Sequence, residues 1–256
     1  MNNDKSTPFV TVSIVSHGDS EKVLRLLESV RLFEKTNLIQ VILTDNLGRE
    51  LPDVDNSSWH SLKILRNERS RGFAKNHNRA FQLAEGKFFC LLNPDVVFLQ
   101  PVFIQILRQI ETSQADIIAP LVVDSKDRVQ DSFRDLPTPI EIILRRLPGF
   151  TFGSTIVEPN KVIRPDWLSG LFLLMQKETY QKLNGMNEKY RFYFEDVEFC
   201  TRARLMGLKL LVDTAIRIQH DAHRASRKNL IYLLWHIQSA IRFFTSPIYK
   251  EAQKRK

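Results

Sequence analysis

The chain has 256 residues, is 43% hydrophobic and carries 17 Phe, which is enough to core one large domain or two small ones and excludes a disordered or low-complexity chain. A formal net charge of +8 points to anionic partners such as nucleotide phosphates, a phospholipid surface or nucleic acid. Cys90 and Cys200 sit in apolar contexts without metal-ligand spacing and read as reduced, buried thiols of a cytosolic protein. The N-terminus shows no apolar segment of signal-peptide length, and no window reaches the ~18 apolar residues of a membrane-spanning helix.

In chain order, Phe9–Val15 reads as a buried strand closed by His17-Gly18. Val23, Leu26, Leu27, Val30 and Phe33 then follow a 3.6-residue period, with Lys and Arg opposite. Ile39–Thr44 is a second strand that delivers Asp45-Asn46 at its carboxyl end, and Leu62–Leu65 is a third. The polar stretch 66–78 leads into a helix that ends near Ala84. Phe88–Leu92 is a fourth strand, too short for a helix, and Asn93-Pro94-Asp95 must turn the chain because proline cannot continue a central strand. Strands alternating with helices over these residues predict a mostly parallel α/β sheet with helices on both faces.

Val102 to Ile110 reads as an amphipathic helix and Ile117–Val123 as another strand. Leu136 to Pro165 holds five prolines and no sustained period, and reads as an irregular loop facing an acceptor. Trp167 to Met175 is a strand-like run broken at Ser169-Gly170. Lys177–Leu183 is a short helix, and an aromatic run from Tyr190 to Phe194 ends on Glu195-Asp196, ahead of a helix over Val197–Met206. Leu208–Asp213 and Ile216–Ile218 read as two short strands, the second followed by His220. From Arg217 onward, nine Lys and Arg stand against Asp221 and Glu251. There Leu230, Leu233, Leu234, Ile237, Ile241 and Phe244 fall at helical spacing. Such a helix either packs on the domain or lies in the headgroup layer of an anionic membrane; the two are compatible.

Five features fall at strand ends: Asp45, the Arg71-Gly72-Phe73 turn, Asp95, Glu195-Asp196 and His220. Ligands of open α/β sheets bind at that edge. Gly72 admits close backbone approach, and Arg69 and Arg71 supply charge for phosphate. Asp95 and His220 offer oxygen and nitrogen to a hard cation, Mn²⁺ or Mg²⁺. Glu195-Asp196 opens a helix, whose N-terminal field favours ionised carboxylates, and one of them can take a proton from a hydroxyl. Each has a bland counterpart. Asp95 can cap the helix near Pro101, and Glu195-Asp196 can merely balance a helix dipole.

The ordered segments VSIVSHGDS, ILTDN, RNERSRGFAKNHNRA, FFCLLNPDV, WLSGLFLLMQKE, FYFEDVEFCTRARLMG and IRIQHDAHRASRKN resemble glycosyltransferase family 2, and within it the bacterial rhamnosyltransferase-like branch, from about Val10 to Phe244. The resemblance implies a GT-A fold: a Rossmann-like, mostly parallel central sheet with helices on both faces, plus a C-terminal amphipathic helical segment. It implies a transferase domain over 1–225, with a nucleotide-sugar half at about 8–125 and an acceptor half at about 126–225, then a basic helix and tail over 226–256.

By resemblance, Asp45 contacts the nucleotide base and Ser16 the nucleoside. Arg71, Gly72 and Asn76 match the NxGFAxANN segment along the nucleotide-sugar. Asn93-Pro94-Asp95 matches the DxD metal motif, with Asp95 as the ligand. Trp167 and Gly170 match the WxxGA segment that lines the sugar and acceptor. Asp196, beside Glu195, matches the catalytic base. His220 completes the metal or diphosphate site, and Arg224 and Arg227 follow it near phosphate. The pattern is departed from at His17-Gly18, Leu47-Gly48, Leu171, Glu198 and Asn93, the last leaving Asp95 as the motif's only anion.

The implied reaction is a single inverting displacement from a dTDP- or UDP-sugar, best matched by dTDP-rhamnose, onto a glycan or lipid-linked glycan. It implies a cytoplasmic protein, peripheral at the inner face of the cell membrane. Two rivals fit the composition less well. A sugar nucleotidyltransferase would carry a Gly-rich, basic loop where SHGDSEKVL stands. A non-enzymatic nucleic-acid or membrane binder would interleave aromatics and bases on one surface, whereas here the aromatics follow core periods.

Overall fold

The computed structural model describes residues 7–48, 51, 53–144, 158–220 and 230–255. The chain begins with β1 (Val10–Ser16), α1 (Ser20–Phe33), β2 (Ile39–Asp45), β3 (Ser61–Arg66), α2 (Phe73–Phe81) and β4 (Phe88–Leu92). It continues through β5 (Val96–Phe98), α3 (Phe103–Ser113), β6 (Ile117–Val123), β7 (Phe133–Arg134) and α4 (Pro139–Leu144). Then come β8 (Val162–Ile163), β9 (Trp167–Leu168), β10 (Phe172–Gln176), α5 (Lys177–Lys182), α6 (Glu195–Leu205), β11 (Leu210–His220), α7 (Leu230–Phe244) and α8 (Pro247–Lys254).

The main sheet runs β3-β2-β1-β4-β10-β6-β11-β5, with β8 also on β11, and β7 pairs with β9 in a small second sheet. The expected parallel pairing holds across β3-β2-β1-β4 and between β6 and β11, while β10 runs against both its neighbours. Strands buried on both faces need apolar side chains at every position, which is why they read as continuous apolar runs. In β4, Phe88, Cys90 and Leu92 enter the core that α1 and α3 cover, while Phe89 and Leu91 enter the opposite core with Tyr180 and Phe199. Both cysteines are free and buried.

Four sequence expectations change. The two strands expected over 208–218 are one strand, β11, whose register against β6 shifts between Asp213 and Arg217. The shift begins opposite Pro120, which has no N–H to give the ladder, so residues 214–216 bulge out. The helix expected from Val197 begins at Glu195, so both carboxylates belong to its first turn. The irregular 136–165 stretch contains α4 and β8, and residues 145–157 of it lie outside the described region. The C-terminal helix is two, because Ser246 caps Tyr249 N–H and Pro247 starts α8 afresh. Both pack, with Leu136, Tyr190, Phe194 and Val197, on a third apolar cluster through Ala240, Phe243 and Ala252. No helix of the described residues is long and apolar enough to cross a membrane.

Candidate active site

Parallel register brings the carboxyl ends of the first four strands to one edge. Ser16 pairs with Asp45, and Asp45 with Arg66, while Ile14 pairs with Leu92 just before Asn93. Because β10 is antiparallel, its beginning lies at that same edge: Phe172 faces Leu92, and Asn93 N–H donates to Leu171 O at 2.9 Å. Gly170, one residue further back, donates its N–H to Asp196 Oδ2 at 3.1 Å. An unbroken chain of contacts therefore joins the Asn93-Pro94-Asp95 turn to the Glu195-Asp196 pair. The last residue of β11, His220, pairs with Val96 and sets its Nε2 3.4 Å from Asp95 Oδ2.

On the nucleotide side, Asp45 is buried, with Oδ1 taking Leu47 N–H at 3.1 Å and Oδ2 left without a partner. Ser16 is buried and its hydroxyl accepts Asp19 N–H. The 66–72 loop is clamped by three buried amides. Asn46 Oδ1 accepts from Arg71 N–H and from Asn67 Nδ2, both at 2.8 Å, and Asn46 Nδ2 donates to Arg71 O at 2.9 Å. Asn67 Nδ2 also donates to Asn76 Oδ1 at 2.7 Å, and Asn76 Nδ2 returns to Arg71 O. Arg71 is thus fixed by its backbone while its guanidinium stays exposed with no ion pair among the described residues. Asn46 and Asn67 are absent from the sequence-derived site; their signal is an Asn directly after each of two neighbouring strands.

Gly72 is required for a reason other than ligand approach. A Cβ there would lie 2.6 Å from the backbone oxygen of Arg191, so the loop beside the nucleotide edge meets the segment that carries the acids. Gly170 is packed under Phe73, whose ring a Cβ would approach to 3.1 Å. That close packing sets the Gly170 N–H against Asp196. Trp167 is half-buried nearby and carries Arg134 over its ring at 5.6 Å.

Two consecutive bulky residues, Tyr193 and Phe194, have φ of 68° and 65°. Left-handed backbone costs such residues about 1–2 kcal/mol each, and such strain collects at functional sites. It turns the chain sharply into α6, so Glu195 is buried inward while Asp196 stays partly open. Burial raises the Glu195 carboxyl well above its ordinary value, and the neighbouring Asp196 charge raises it further. Asp196 is also raised by burial, against the Gly170 and Val197 N–H groups and the Trp167 indole. Burial and mutual proximity thus raise both carboxyls, Glu195 the more strongly, so the adjacent pair titrates as one unit and not as two independent acids.

Asp95 is raised by burial, but the hydrogen bond and charge of His220, with the charge of Lys22, leave it below its ordinary value. Asp95 Oδ1 and His220 Nδ1 are both buried without a partner. The Asp95 carboxylate with its open Oδ1, and the His220 Nε2 facing it, offer oxygen and nitrogen together, a donor set that fits a divalent cation taking its other ligands from phosphate and water. Among the described residues no group of three His, Cys, Asp or Glu is placed to hold a metal without such help. Arg224 and Arg227 lie outside the described residues.

Residues 11–172 match the family "Glycosyl transferase family 2", and residues 157–227 match "N-terminal domain of galactosyltransferase". The chain is 24% identical over 248 residues to rhamnosyltransferase WbbL of Escherichia coli, covering 92% of each. It is 25% identical over 262 residues to N-acetylglucosaminyl-diphospho-decaprenol L-rhamnosyltransferase of Mycobacterium tuberculosis, covering 93% of this chain and 84% of that one. Among solved structures, GalNAc-T7 with UDP, GalNAc and Mn²⁺ superimposes with TM-score 0.62 at 17% identity, over 85% of this chain and 44% of that chain. S. aureus TarS does so with TM-score 0.58 at 15% identity, over 93% and 40%. The chain spans less than half of those two solved chains, and the likeness shows the GT-A fold.

Proposed function

The chain belongs to glycosyl transferase family 2, and from that premise we propose that it moves rhamnose, with inversion, from dTDP-rhamnose to a hydroxyl of a lipid-linked bacterial glycan. The observation that carries the chemistry is Asp196, partly open and pinned by Gly170 N–H beside the Asn93-Pro94-Asp95 turn. In this reading Asp196 takes the proton of the acceptor hydroxyl, whose oxygen attacks the anomeric carbon as the diphosphate leaves. General-base action is worth about 10²–10⁴ in rate, and positioning and leaving-group stabilisation supply the rest.

The unpartnered Asp45 Oδ2 suits a base N–H, and Ser16 the nucleoside. Arg71, Gly72, Asn76, Asn93 and Trp167 line the diphosphate and sugar. Asp95 and His220 would hold Mn²⁺ or Mg²⁺, which neutralises charge on the leaving diphosphate. Arg224 and Arg227 would add charge there. Donor contacts fall within about 8–125 and acceptor contacts within about 126–225, followed by the basic C-terminal segment from 226. The donor sugar is supported by the names of the E. coli and M. tuberculosis relatives, and the carrier by the second of them. Exposed Leu230, Leu234, Ile237 and Ile241 on α7 support an anionic membrane surface as a partner at the cytoplasmic face.

Thermal shift with dTDP, UDP, GDP and CMP, each with and without Mn²⁺, tests the reading, since a ligand of the folded state raises its stability. Metal-dependent stabilisation by dTDP is expected. Stabilisation by UDP or GDP instead would move the sugar, and none by any nucleotide would overturn the donor site.

A further inference from the structure

Arg191 sits where three features meet. Its backbone lies against Gly72 in the nucleotide-edge loop, its segment runs on to Asp196, and its guanidinium lies 4.7 Å from the Trp235 ring centre on α7. Around it is a cleft of about 180 Å³ lined by Lys189, Arg191, Trp235, Gln238, Ser239 and Arg242. Ser239 ties the two walls together by donating to Phe192 O at 2.9 Å. None of the three cations has an ion-pair partner among the described residues, and Arg191 is pre-set by its stacking on the indole.

The helix that forms one wall has a second property. Trp235, Gln238 and Arg242 line the cleft, and the residues just before them, Leu234, Ile237 and Ile241, are exposed apolar side chains. One residue is 100° of helix, so a face turned to the cationic cleft and an apolar face left exposed among the described residues lie side by side along α7. A ligand that satisfies both has an anionic head and a hydrocarbon tail.

Resting on the transferase reading above, we propose that this cleft binds the diphosphate of the lipid-linked acceptor, with the first isoprene units laid along Leu234, Ile237 and Ile241. The discrete cleft, on the segment that leads to the base, favours a specific acceptor over bulk phospholipid. A head group held there fixes how far along the glycan the reactive hydroxyl can reach toward Asp196.

The test uses the whole protein and farnesyl diphosphate, with binding read from tryptophan fluorescence. Saturable binding is expected in the wild type. R191Q/R242Q is expected to weaken it about tenfold for each charge-assisted hydrogen bond removed, without moving the unfolding midpoint. I237S/I241S is expected to weaken farnesyl diphosphate while leaving inorganic pyrophosphate unchanged. Unchanged farnesyl diphosphate binding in R191Q/R242Q overturns the proposal. So does a loss confined to phosphatidylglycerol vesicles, which would make the cleft a general headgroup patch. The dTDP thermal shift separates the two readings. If it persists in R191Q/R242Q, the donor site stands whatever the cleft does. If no nucleotide shifts the protein while farnesyl diphosphate still binds through the cleft, the transferase reading falls and the cleft remains.

Discussion

The two sides of the active-site edge are built in opposite ways. The proposed nucleotide side is braced by a network: Asn46, Asn67 and Asn76 exchange amide hydrogen bonds among themselves and with the Arg71 backbone, and Asp45 Oδ2 is left open beside them. The base side is unsatisfied and strained. Tyr193 and Phe194 are left-handed, Glu195 Oε2 is buried without a partner, and the helix that supports them leaves an apolar stripe outside. The first arrangement suits a ligand that must meet a fixed cradle. The second keeps two carboxyls side by side with both lifted by burial above their ordinary values. Gly72, pressed against Arg191, is where the two meet.

The largest effect should separate the sides outright. Asp196→Asn keeps the Gly170 contact in shape but removes the base, so transfer should fall by about 10²–10⁴ while the nucleotide thermal shift is unchanged. Loss of both together would show the sides to be one unit. Asn67→Leu should do the reverse. It takes the amide donor from Asn76 Oδ1, at about 1–3 kcal/mol for a buried group left unpaired, and removes one of the hydrogen bonds of Asn46 Oδ1 and of Arg79. The expected outcome in urea denaturation is a large stability loss together with weakened nucleotide binding.

Gly72→Ala probes the junction. The 2.6 Å approach to a backbone oxygen cannot be relieved by rotating a side chain, and overpacking of this kind costs about 1–3 kcal/mol. Its effect should fall on kcat more than on nucleotide affinity, because the 190–194 segment is the less braced wall. Equal loss in both would assign the rigidity the other way.

The smallest effect concerns pH. Burial lifts the Glu195 and Asp196 carboxyls, so the acid limb of the transfer rate should lie above the ordinary carboxylate range. The folded state holds a proton on Glu195 that the unfolded chain releases above about pH 4.3, so stability falls as pH rises from there. Glu195→Gln should therefore raise the melting temperature at neutral pH, by about 2–4 °C for each kcal/mol recovered, with no gain below pH 4. An equal gain at both pH values would mean that the carboxyl's charge is not the cause.

What the sequence determined by itself was everything written in local chemistry. Continuous apolar runs announced strands buried on both faces, prolines and glycines announced where they turn, and acids at strand ends announced one ligand edge. Asp45, Asp95, Glu195-Asp196 and His220 were legible because a polar group directly after an apolar run has few other reasons to be there. Tertiary structure alone decided what depends on distant neighbours. Pro120 made one bulged strand of an apparent two, because a missing N–H in β6 matters only to the strand beside it. The antiparallel course of β10 set the Gly170 N–H against Asp196. The burial that lifts the Glu195 and Asp196 carboxyls comes with a left-handed turn at two aromatic residues whose identities argue against it. No local rule predicts such a turn, because packing on α7 and α8 supplies the energy that holds it.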